Sequence, residues 1–88
     1  MKVILNKCFG GFNINETIAK KYGVDAYDES ARYNENIINL IESGTDCSGL
    51  FAQLEVVELP ENTTDCEIND YDGFESIIYV VDGKIHHM

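Results

Sequence analysis

Basic residues are scarce in this chain of 88 residues: six lysines and arginines stand against sixteen acids, for a net charge of −10. A protein charged in this way repels free nucleic acid and is drawn to basic surfaces, at a rate that falls as salt rises. Long apolar runs are also missing. Val3-Ile4-Leu5, near the start, is far too short for a signal sequence or a membrane span, so the expected compartment is the cytoplasm. Cysteine is represented by Cys8, Cys47 and Cys66 alone, with no C-x-x-C pair. That excludes a disulfide framework and the paired spacing of a structural zinc site, and leaves three small packed thiols. The only histidines, His86 and His87, close the chain, where fraying is expected, so Cys8 has no local base to make it a nucleophile. No catalytic residue, metal ligand or cofactor site is assigned, and the chain is read as a non-enzyme.

What is present reads as one small α+β domain over residues 1–88, with an N-terminal strand, two short helices, and antiparallel strands ending in a hairpin. Lys2 to Cys8 forms the first strand, and its consecutive apolar residues predict burial on both faces. Gly10-Gly11 breaks it. Asn15 is an N-cap followed by Glu16 in the first turn, Ile14 and Ala19 form a staple, and Gly23 stops this first helix. Residues 24–33 show no period, and Tyr27 and Tyr33 are expected to cover the core edge. Asn34 caps a second helix carrying Ile37, Ile38, Leu40 and Ile41, which ends at Ser43-Gly44. In "LFAQLEVVELP", Leu50, Ala52, Leu54 and Val56 alternate as the apolar face of a strand that Pro60 ends. "ENTTD" reads as a loop, Cys66-Glu67-Ile68 as a short strand, and "YDG" at 71–73 as a turn. "SIIYVVDGKIHH" is a hairpin whose Asp82-Gly83 suits a type I′ turn.

The charge is lopsided. Residues 1–24 carry four lysines against Glu16, a net of +3, whereas residues 25–88 carry Arg32 and Lys84 against fifteen acids, a net of −13. A domain this small has little interior in which to hide charge, so these carboxylates are expected on the surface. "DAYDESARYNEN" lacks the central glycine and closing glutamate of a calcium loop. Asp70 and Asp72 would need a deep cleft to act as an acid–base pair, which so small a domain seldom builds. Carboxylates on a rigid scaffold can instead imitate phosphate spacing and occupy a groove built for nucleic acid. The expected contacts are Asp25, Asp28, Glu29, Asp70, Asp72 and Glu75.

"NKCFGGFNINET", residues 6–17, offers a second possibility. A glycine pair between strand and helix exposes backbone N–H groups, and with Lys7, Gly10, Gly11 and Asn15 these could hold a phosphate or nucleotide. The spacing is that of neither a P-loop nor a dinucleotide fingerprint. The plainer reading has Gly10 and Gly11 supply unusual backbone angles while Phe9 and Phe12 plug the core.

Together, "MKVILNKCFGGF", "LFAQLEVVELP" and "EINDYDGFE" resemble a set of small bacteriophage and prophage proteins. Those proteins open with a strand, "CFGGF" and a helix, and later carry a "VVEIP"-like strand and a "YDG" turn. The hairpin "YVVDGKIHHM" departs from the more basic, aromatic ending of that set. The resemblance implies a phage setting in the host cytoplasm and carries over no catalytic residue. It favours an inhibitor of host defence of the anti-CRISPR kind, whose partner is a host protein or ribonucleoprotein with a basic surface. Direct nucleic-acid or membrane binding is not expected. The alternatives are a phosphate-binding module acting as a sponge, and a phage structural or host-takeover homo-oligomer.

Overall fold

The first strand, β1 (Lys2–Asn6), organises the fold, a computed structural model covering residues 1–88. Four of its five residues are fully buried, as the consecutive apolar run predicts. Strand geometry sends neighbours to opposite sides. Ile4 joins a cluster with Ile14, Ala19, Ala31, Ile37 and Ile38, while Val3 and Leu5 join Leu59 and Ile77 in another. β1 pairs antiparallel with β2 (Leu54–Glu58) from Lys2↔Glu58 to Asn6↔Leu54, and these two strands form a sheet of their own.

On the Ile4 side lie the helices. Helix α1 (Glu16–Lys21) begins where Asn15 accepts from the amides of Thr17 and Ile18, and it ends before Gly23, whose φ is +68°. Helix α2 (Glu35–Glu42) begins where the Asn34 side chain accepts from Ile37 N–H, and buries Ile37 and Ile38. Between them, where no period was legible, a 3-10 helix runs from Glu29 to Tyr33 and buries Ala31 and Arg32. Tyr27 and Tyr33 point outward and do not cover the core.

On the Val3 and Leu5 side lies a second antiparallel sheet, ordered β3 (Thr63–Tyr71), β4 (Phe74–Val81), β5 (Lys84–His87). Both of its turns are Asp-Gly with two positive φ angles, Asp72-Gly73 at 51° and 89° and Asp82-Gly83 at 51° and 74°, the type I′ geometry that fits strand twist. The α+β class is thus as the sequence predicts, with the strands divided between two sheets.

Three local expectations are corrected. The alternation beginning at Leu50 becomes strand only at Leu54; Leu50 and Phe51 instead form an outward turn, and the Ser48 hydroxyl accepts from Leu54 N–H where pairing begins. β3 starts at Thr63, inside the expected loop, with a bulge between Thr63 and Asp65. The chain end is held rather than frayed: His86 pairs with Tyr79 across β4–β5 and stacks on its ring at 5.2 Å. β5 therefore adds to the outside of β4 and does not pair with β1, which keeps the histidine strand out of the β1 sheet that leads to Cys8.

Candidate functional site

Three turns meet at one end of the molecule, and Gly10 is their shared neighbour. A side chain at Gly10 would collide with the Phe51 carbonyl, and one at Gly73 would stand 2.9 Å from Gly10 N and closer still to Gly11 N. Residues 8–11, 50–51 and 72–73 are therefore packed backbone against backbone, which only glycine permits at the contact points.

Buried polar groups fasten the three turns together. Asn6 is fully enclosed at the end of β1; its Nδ2 donates to Cys8 O at 2.8 Å and Gly73 O at 2.6 Å, and its Oδ1 accepts from Gln53 N–H at 2.8 Å. All the hydrogen-bonding capacity that burial demands is thus spent on the three segments. Asn13 adds a bond from its Nδ2 to Leu50 O at 3.0 Å. Beneath them, Glu75 receives Arg32 in a two-point ion pair, Nη1 to Oε1 at 2.7 Å and Nη2 to Oε2 at 2.5 Å, with both side chains 3% exposed. Glu75 Oε1 also accepts from Asn6 N–H at 2.7 Å, Arg32 Nη1 also donates to Ile4 O at 3.0 Å, and the guanidinium lies 4.0 Å from the centre of the Phe12 ring. Arg32 Nε alone is buried without a partner.

This arrangement corrects two expectations. Glu75 is not a surface contact: it shares the inward face of β4 with Ile77, and its charge is consumed by Arg32. Nor do Lys7, Gly10, Gly11 and Asn15 converge on an anion. Gly73 fills the space against the glycine amides, Lys7 Nζ donates to Glu75 O at 2.8 Å, and the Asn15 side chain is occupied in capping α1. The hollow beside Asn15, about 510 Å³, has Glu16 and no basic residue in its wall.

The other expected contacts are exposed, and most are held by their own backbone. Asp25 Oδ1 accepts from Tyr27 N–H at 2.8 Å, Asp28 Oδ1 from Ser30 N–H at 2.9 Å, and Asp70 Oδ1 from Gly73 N–H at 2.6 Å. The Ser30 amide, reinforced by its side chain, holds the Asp28 carboxyl below the usual carboxylate range. Ser48 does the same for Asp46. Of the sixteen acids, Glu42 and Glu58 pair with Lys2 and Glu75 pairs with Arg32, which leaves thirteen outside any ion pair. Asp25, Asp28 and Glu29 lie at the start of the 3-10 helix, and Asp70 and Asp72 lie at the three-turn end.

Sequence reasoning missed the apolar part of this end. Phe9, expected to plug the core, is 67% exposed; Tyr71 beside it, and Leu50 and Phe51 on the turn that meets Gly10, are each at least 75% exposed. The Phe9 ring sits 6.4 Å from Tyr71, edge to face, and 5.3 Å from Phe74. Phe51 takes φ of +62°, a left-handed backbone that costs a bulky L residue about 1–2 kcal/mol. Only Phe12 meets the plug expectation, packing on the helix-side cluster.

No group of three or more histidine, cysteine, aspartate or glutamate side chains is placed to hold a metal, and no helix is long and apolar enough to cross a membrane. No family model matches the chain, and neither the curated proteins nor the solved structures yield a match.

Proposed function

We propose that this chain is a non-enzymatic, acidic interaction protein that docks on a basic surface of a host nucleic-acid-binding complex. That is the behaviour of a phage-type inhibitor of host defence, anti-CRISPR proteins among them, working in the host cytoplasm. The observation that carries this reading is the set of unpaired carboxylates fixed by backbone amides, above all Asp25, Asp28 and Asp70. A carboxylate tied at one oxygen keeps its position and still presents negative charge, so less ordering entropy opposes docking than for a free glutamate. A net charge of −10 also speaks against self-association as the main role.

The test is displacement of a labelled duplex from purified RNA-guided DNA-binding complexes, titrated at low and at physiological salt. The protein displaces the duplex, more weakly at the higher salt. The triple variant D25N/D28N/D70N displaces it less well while remaining folded, with only a small fall in melting temperature from the lost Asp28 charge, because an asparagine oxygen can accept the same capping bonds. Failure to displace duplex from every complex tried, or displacement indifferent to both salt and the triple variant, rejects the proposal.

A further inference from the structure

The aromatic end has a definite chemistry. Phe9, Tyr71 and Phe74 form a contiguous ring surface on turns that cannot spread, because Asn6 and the close approach of Gly73 to Gly10 and Gly11 clamp them. Asp72 stands in the turn between Tyr71 and Phe74, and Asp70, whose register partner is Glu75, lies beside that turn on the other face of the ribbon from the two rings; neither acid is in an ion pair. The chain's one cation there is Lys7, whose ammonium lies 5.5 Å from the centre of the Phe74 ring while donating to Glu75 O. No cation of the chain lies over Phe9, Tyr71 or Phe51. Exposed rings in the field of unpaired carboxylates attract a cation, and a planar guanidinium can stack on a ring while its charge answers the acids.

The protein uses this combination internally, where Arg32 is held between the Phe12 ring and the Glu75 carboxylate. We infer that the ring surface formed by Phe9, Tyr71 and Phe74, in the field of the unpaired Asp70 and Asp72, is the docking point for an arginine-bearing segment of a protein partner. This deepens the proposal above, on which it rests, by giving the partner surface a side-chain identity and the contact a place. The rings also explain why charge alone would be insufficient: carboxylates attract any cation, whereas a stacked ring discriminates arginine from lysine.

The experiment is a titration of isotopically labelled full-length protein with three peptides followed by NMR. One peptide alternates glycine and arginine, one alternates glycine and lysine, and one contains glycine and serine only. The arginine peptide gives saturable shifts centred on Phe9, Tyr71 and Phe74, the lysine peptide binds less tightly, and the neutral peptide does not bind. F9S and Y71S each weaken the arginine peptide about two- to five-fold, the range for one exposed cation–ring contact. Both side chains are largely exposed, so amide shifts away from the tip stay in place and report an intact fold. D70N/D72N weakens binding as well, since asparagine can keep both the turn bond and the left-handed backbone.

Arginine-peptide shifts that centre on Asp25, Asp28 and Glu29 and ignore F9S overturn the tip assignment while leaving acidic docking standing. Equal binding of the lysine and arginine peptides overturns the arginine assignment. Binding of neither cationic peptide anywhere overturns this inference, whereas the docking proposal stands or falls on duplex displacement. Tip signals that shift with protein concentration alone, and move back on dilution, assign the surface to a second copy and overturn the inference.

Discussion

Replacing Glu75 by glutamine tests whether the buried ion pair is the fastening between the two sheets. Glu75 accepts three hydrogen bonds, from Asn6 N–H, Arg32 Nη1 and Arg32 Nη2. A glutamine offers a single oxygen, turns an NH₂ group towards an Arg32 donor, and leaves a guanidinium buried without a counter-charge. Breaking a buried pair from one side costs about 3–5 kcal/mol. A domain of this size has roughly 4–13 kcal/mol in all, so E75Q should sit near the edge of folding. R32M should lose a similar amount, because it strands the carboxylate. The double variant R32M/E75Q should be clearly more stable than the two losses added together, because neither lone charge remains and the orphan Nε of Arg32 goes with the side chain. Urea unfolding followed by far-ultraviolet circular dichroism measures all four proteins. The reasoning is refuted if either single variant loses less than about 1 kcal/mol, or if the losses simply add.

Gly73→Ala and Gly83→Ala face similar positive φ angles, but only Gly73 has backbone pressed against it. G83A should cost about 1 kcal/mol and G73A a further 1–3 kcal/mol, and equal losses in denaturant titration would mean the turns are not interlocked. Phe51→Gly should raise stability by about 1 kcal/mol by relieving the left-handed backbone, since the ring is mostly exposed; a fall in melting temperature would show that the ring packs. The lowered carboxyls of Asp28 and Asp46 stabilise the fold above the unfolded carboxylate pKa, and that contribution disappears as pH falls through their lower folded values. Melting temperature should therefore drop below about pH 4, and D28A/D46A should flatten that acid limb. At the alkaline end, burial, with Asp46's charge adding to it, raises the Cys47 thiol, so the stability it lends below the unfolded thiol pKa is lost as pH climbs towards the folded value. C47A should blunt the decline above about pH 8.5.

Much of the scaffold was legible because its signals are local. Asn15, Asn34 and the glycines at 23 and 44 mark helix ends by capping chemistry, and Asp82-Gly83 fixes a hairpin by dihedral preference alone. What the sequence hid depends on partners far along the chain. In β4, Phe74, Ser76, Ile78 and Val80 alternate with Glu75, Ile77, Tyr79 and Val81, and neither set is clearly the apolar one. The inward side is chosen by Arg32, 43 residues away. Leu50 and Phe51 fit a strand alternation and were diverted by contact with Gly10 and by the bond from Asn13, neither of which has a local signature. One clue was available. A lone asparagine in a strand otherwise buried on both faces must find several hydrogen-bond partners, so Asn6 announced a polar junction at the end of β1.

The division of β1 between two hydrophobic clusters has a consequence for biogenesis. Lys2 finds its partner only when Glu58 has been synthesised, and Leu5 finds Ile77 later still. Until then Val3, Ile4 and Leu5 travel as an unpaired apolar ribbon that neither layer can shelter. Contacts so distant along the chain delay folding and leave the nascent polypeptide open to aggregation. Its surplus of negative charge, by keeping neighbouring copies apart, would then protect the protein during synthesis as well as serve it once folded.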